Sequence, residues 1–151
     1  MKRFFAFVVA VALIGVSFCS CEKRGVSAEE MLFALMAETE NLPAGQIYLK
    51  NSSEGSARYF SRTICESMYG EGAYEMLGLV EDFAIYVSSA QAPYEIAVFK
   101  CFSSTDAEKL GALCFERTEL LGVLLGKTKW KELVERSTVT LDGRNVIMKV
   151  V

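Results

Sequence analysis

The sequence contains no histidine, and only two prolines and one tryptophan in 151 residues. The first absence removes Ser-His-Asp and Cys-His nucleophile systems, and with them the common histidine-containing zinc sites. Any chemistry here falls to carboxylates, cysteine, lysine, tyrosine or serine. A basic excess is also lacking. There are 16 Lys and Arg against 19 Asp and Glu, a formal charge of −3. The electrostatic footprint of a nucleic-acid binder is therefore missing, and no nucleic-acid partner is expected. No metal-ligand spacing or cofactor motif occurs, so neither a metal nor a cofactor is expected. The length suits one domain rather than two, without internal repeats or low-complexity tracts.

What is present begins at the N-terminus. Lys2 and Arg3 precede an uncharged apolar run from Phe4 to Phe18. An α-helix needs about 20 such residues to span a bilayer, so this run fits the core of a signal peptide better than a permanent anchor. The run ends in Phe18-Cys19-Ser20-Cys21, which resembles a bacterial lipobox. Ser20 is the small residue wanted before the modified cysteine. Phe18 departs from the leucine usual three places before it. Cys19 would have Phe18 directly in front, a poor fit, so Cys21 is the expected lipid attachment site. Several acyl chains anchor stably, each buried CH₂ contributing about 0.8 kcal/mol. On this reading residues 1–20 are a lipoprotein signal peptide, 21–27 a tether and 28–151 a single domain. Loss of Lys2 and Arg3 moves the formal charge from −3 to −5. The expected location is the extracytoplasmic face of the cell membrane, with the membrane reached through the N-terminal lipid.

The mature chain reads as an α+β domain. Ser27-Ala28-Glu29-Glu30 is a capping-box pattern, and Met31, Leu32, Leu35 and Met36 recur at helical spacing, predicting a helix over 28–39. Leu42-Pro43-Ala44-Gly45 breaks it, and a short strand is expected over 46–50. Apolar residues at 57, 60, 64 and 68 predict a helix over 56–69 ending at Gly70, and 71–78 reads as irregular. VEDFAIYVS over 80–88 and YEIAVFKCF over 94–102 alternate with a period of two and predict an antiparallel hairpin. Thr105-Asp106-Ala107-Glu108 looks like a second capping box. Leu110, Leu113, Cys114, Leu121 and Leu124 mark one side of the long helix it opens, with 127–136 extending it or forming a further short one. Asp142-Gly143 is a hairpin signal that would set Val139 and Leu141 against Val146 and Met148. The expected architecture is an antiparallel sheet of four to five strands with helices packed on it.

The runs CESMYG, VEDFAIYVSSAQAPYEIAVFKC and VTLDGRNVIMKVV resemble a family of bacterial lipoproteins, common in Gram-positive bacteria and known as a domain of unknown function. EIAVFK at Glu95–Lys100 and the Tyr69-Gly70 turn carry most of the likeness, which spans residues 60–151. The resemblance implies an envelope location and this α+β domain, and it implies no activity. The long helix departs from the family, where it is highly charged. Here LGALCFERTELLGVLLG carries extra leucines, which suggests a second covered face, under a partner or under residues 28–39.

Candidate chemistry is sparse. Cys65, Cys101 and Cys114 are either a disulfide with a reactive thiol or three buried thiols acting as small hydrophobes, and the second is expected. Glu81, Asp82 and Glu95 read as a solvated strand start, because Glu81 and Asp82 point to opposite faces. Lys100 reads as an aliphatic stem over the core with its charge in water. Glu116 and Arg117 read as a solvated helix face. Phe83, Tyr86, Tyr94, Phe99, Phe102 and Phe115 are expected to fill the core, and Trp130, between Lys129 and Lys131, to be partly exposed. No catalytic residue stands out. The leading expectation is a non-enzymatic module that binds an envelope protein, a peptide or a cell-wall component. The alternatives are a thiol-dependent redox protein and a small apolar ligand carrier.

Overall fold

In a computed structural model of the chain, residues 25–89 and 92–151 are described. The leader, Cys21 and most of the tether lie outside the described residues. Five strands form one antiparallel sheet: β1 (Gly45–Leu49), β2 (Val80–Ser88), β3 (Glu95–Cys101), β4 (Thr138–Asp142) and β5 (Asn145–Val150). Their spatial order is β1-β2-β3-β5-β4. The two hairpins each turn back on themselves, and the long connection from β3 places β5 beside it rather than β4. Val139 pairs with Met148 and Leu141 with Val146, the register the Asp-Gly signal predicts. Gly143, at φ 59, supplies the left-handed residue of that turn.

Both faces of the sheet are covered, which explains why β2 and β3 are apolar on both alternations. Ala84, Tyr86, Ile96 and Val98 face α1 (Ala28–Glu38), which contributes Ala28 and Leu32. Phe83, Ile85, Ala97, Phe99, Val146 and Met148 face the other side. There they meet α2 (Arg62–Tyr69), α3 (Ala73–Met76) and α4 (Ser104–Leu125). A short helix, α5 (Lys131–Glu135), closes one end, where Leu133 and Val134 pack with Leu121 and Val150.

The helix starts show local chemistry at work. Ser27 Oγ accepts the Glu30 N–H at 3.1 Å and Glu30 Oε2 accepts the Ser27 N–H at 2.8 Å, a complete capping box. Asp82 adds a tie from the sheet by accepting the Ala28 N–H at 2.9 Å. The cap of α4 differs from expectation. Ser103, not Thr105, is the N-cap, and its hydroxyl accepts the Asp106 N–H at 3.1 Å. The helix expected from residue 56 begins only at Arg62, behind Ser61 as cap. Residues 58 and 59 are diverted to β1 instead: the Leu49 N–H donates to the Arg58 carbonyl, and Tyr59 bridges Leu49. The segment expected to be irregular holds α3 and a 3-10 turn, Leu77–Leu79, entered through Gly70 and Gly72 at φ 95 and 81.

The buried stripe of α4 is Ala107, Leu110, Gly111, Cys114 and Leu121. Leu124 departs from the predicted side and is 61% exposed. Residues 28–38 do not cover a second face of α4, because they lie across the sheet from it.

Candidate functional site

Glu95 opens β3 on the face that carries Ala97, Phe99 and Cys101 toward α4, and only 2% of it is exposed. Burial of a lone carboxylate is costly, so partners are required. Arg117, at the same phase of α4 as Cys114 and Leu121, donates to Glu95 Oε2 from Nε at 3.2 Å and from Nη2 at 3.0 Å. Tyr69, the last residue of α2, donates its hydroxyl to Oε1 at 2.7 Å. The guanidinium also lies 5.9 Å from the centre of the Tyr69 ring. Burial pushes the Tyr69 hydroxyl well above the ordinary tyrosine range, and the neighbouring Glu95 charge adds to the shift. One carboxylate thus joins the sheet, α2 and α4.

This arrangement corrects two expectations. Glu95 is not part of a solvated strand start, and Arg117 is not on a solvated face. The signal for both was phase: Arg117 stands three residues after Cys114 and four before Leu121, and Glu95 two before Ala97. Glu81 and Asp82 do not join them. Glu81 is an exposed partner of Arg144 at 3.3 Å, and Asp82 is the α1 tie. The network offers satisfied hydrogen bonds and no open coordination position. Among the described residues, no group of three or more potential metal ligands occurs.

Cys65, Cys101 and Cys114 are free thiols in the core, each at most 1% exposed. Burial pushes Cys65 up to about 12 and Cys101 up to about 11, and drives Cys114 upward most strongly. Nucleophilic thiols need the opposite shift and an electropositive, accessible setting. Lys100, near the C-terminal end of the central strand β3, donates to the Val26 carbonyl at 2.7 Å. Phe83, Tyr86 and Phe99 fill the core as expected, whereas Phe102 and Phe115 are 56% and 50% exposed. Trp130 is half-buried against Tyr94, with Lys129 4.7 Å from its ring centre.

Two surface features lie apart from this network. The outer side of α4 presents Phe115, Leu120, Val123 and Leu124, with Val123 82% exposed. At the β1 end, Leu49, Lys50, Tyr59, Phe60, Tyr74 and Phe83 line a cleft of about 370 Å³. Its signal was faint, because the aromatics come from three segments that meet only in the fold.

Compared with known proteins, the chain matches no family model, no curated protein and no solved structure.

Proposed function

We propose that the chain is a lipoprotein of the bacterial envelope, tethered through Cys21 on the extracytoplasmic face, whose domain is a non-enzymatic module that binds another envelope protein. The observation that carries this reading is the outer side of α4, where four large apolar side chains stand uncovered among the described residues. Surface hydrophobes scattered singly need no explanation, but four exposed on the outer half of one helix, Val123 at 82%, favour an interaction surface. The leader, the lipobox-like SFCSC and the lipoprotein resemblance support the tether. The position of the patch supports a protein rather than the bilayer as its partner. The described chain starts at Gly25, beside Lys100 at one end of β3, whereas α4 ends beside Trp130 and Tyr94 at the other. β3 advances about 3.4 Å per residue, so the first described residues and the C-terminal end of α4 lie toward opposite ends of the sheet. The thiol-dependent alternative gains nothing from cysteines that are buried and shifted upward.

The test is site-specific photo-crosslinking in native membranes. A crosslinker at Val123 should give an adduct of one discrete mass that a crosslinker at exposed Asn51 does not, and Leu124→Glu should abolish it. Adducts with lipid alone, or with a second copy of the chain, would overturn the assignment of the partner. An intact mass for residues 21–151 without diacylglycerol would overturn the tether.

A further inference from the structure

We propose that the cleft at the β1 end binds a small apolar or aromatic carboxylate. This goes beyond the interaction module, and neither reading depends on the other. The space between the sheet and α4 holds buried core side chains, Phe83, Phe99, Leu110 and Cys114 among them. The β1 cleft is different. Its volume of about 370 Å³ lies at the low end of the ~300–1,000 Å³ typical of small-molecule sites, enough for one or two fused rings. Phe60 and Phe83 form an apolar floor, their ring centres 5.7 Å apart, and Leu49 and Leu77 add aliphatic walls. Tyr59 and Tyr74 add two further aromatic rings to the lining, and the neighbouring Tyr74 hydroxyl pushes that of Tyr59 above the ordinary tyrosine range.

The one charged residue of the lining, Lys50, selects the head group. Lys50 lines the cleft, and its ammonium donates to the Val80 carbonyl and sits 5.5 Å from the centre of the Phe102 ring. Among the described residues, no carboxylate pairs with it. The neighbouring cations are already engaged: Arg58 with Glu29, and Arg62 with Glu66 and Glu75. An ammonium carries three donors, so Lys50 keeps two for a ligand. A single cation over an aromatic floor matches a monoanion with an apolar body. A phosphate dianion would call for a second unpaired cation, and the cleft has none among its lining residues.

The experiment is calorimetric titration of the purified chain with 2-naphthoate, with decanoate and with neutral 2-naphthamide. Two variants accompany it. Lys50→Met removes the charge and keeps an aliphatic stem. Gly78→Phe adds bulk at a lining residue, where an added Cβ meets nothing within 4 Å. Both carboxylates should bind with Kd below about 1 mM, and Lys50→Met should weaken naphthoate about tenfold while leaving naphthamide unchanged. Gly78→Phe should weaken all three. Amide shifts in NMR spectra should move around residues 49–50 and 74–78. Failure of both carboxylates to bind, equal binding to Lys50→Met, or shifts confined to α4 would each overturn the proposal. Should Lys50→Met fail to fold by circular dichroism, Gly78→Phe and the naphthamide comparison decide the matter alone.

Discussion

Glu95 and Arg117 are residue types that a sequence reading assigns to the surface, and each would be costly in the core alone. Together they are tolerated because the guanidinium fork meets one carboxylate oxygen and Tyr69 meets the other. That mutual dependence is why the pair was not legible one residue at a time, although the phase of each was. It also fixes what truncation does. Arg117→Met should destabilise by about 3–5 kcal/mol, because Glu95 stays buried without its counter-charge. Adding Glu95→Leu should recover much of that loss. Tyr69→Phe keeps its ring against Phe60 and Phe99 and should cost about 1–3 kcal/mol, the penalty for an unsatisfied carboxylate oxygen. Urea unfolding of the wild type and these three variants checks the values. The thiols make a second prediction. Cys101 and Cys65 hold their protons in the fold to about 11 and 12, above the ordinary thiol value near 9. Above pH 9 the unfolded chain therefore binds fewer protons than the native one, and stability falls as pH rises. The stabilisation is complete below 9 and lost by 11–12. Unfolding curves between pH 8 and 11 should show that decline, and Cys101→Ala should make it shallower. A Cys101→Ala protein with an unchanged slope would refute the account.

At the level of elements, the sequence was most legible where two signals agreed. Ser27 and Glu30 close a capping box just ahead of a periodic apolar stripe, and α1 follows within a residue of expectation. β2 runs from Val80 to Ser88 as its alternation predicts. It was least legible where a distant strand competed for the backbone, as β1 does for Arg58 and Tyr59. The break at Leu42-Pro43-Ala44-Gly45 gains a purpose only in the fold. The Pro43 carbonyl accepts the Tyr86 hydroxyl at 2.5 Å, and the Ala44 carbonyl accepts the Ser89 N–H at 3.1 Å. Gly45 then enters β1 against the Tyr86 ring. A Cβ there would overlap Tyr86 Cε2 and stand 2.5 Å from the Val87 carbonyl oxygen. The ring is buried and the carbonyl is backbone, so neither can yield freely. Gly45→Ala should therefore destabilise by about 1–3 kcal/mol, although alanine suits a strand at least as well as glycine. Gly111 is the contrasting case. An added Cβ would meet only the tips of Leu141, at 3.0 and 3.2 Å, and that side chain is 41% exposed. Gly111→Ala should be tolerated, and paired thermal melts separate the two sites.

For the molecule as a whole, three layers bury apolar side chains on both faces of one sheet, and among the described residues four of the eight large apolar side chains left exposed lie on α4. The extra leucines of that helix were legible as an anomaly, but their cover was not, because periodicity cannot tell a buried second face from a bare one. The fold answers that question for α1, which lies on the far side of the sheet. Leu120, Val123 and Leu124 therefore contribute little to folding, and their replacement separates stability from interaction. The double variant Val123→Lys, Leu124→Glu should change unfolding free energy by no more than about 0.5 kcal/mol. Leu32→Ala, at a side chain with 0% exposure under α1, should cost about 2–5 kcal/mol by the same measurement. The double variant should at the same time abolish crosslinking from Phe115 in native membranes, at a site it does not alter. A large loss of stability would mean that the α4 face is covered within the folded chain. Unchanged stability with unchanged crosslinking would move the interaction surface elsewhere.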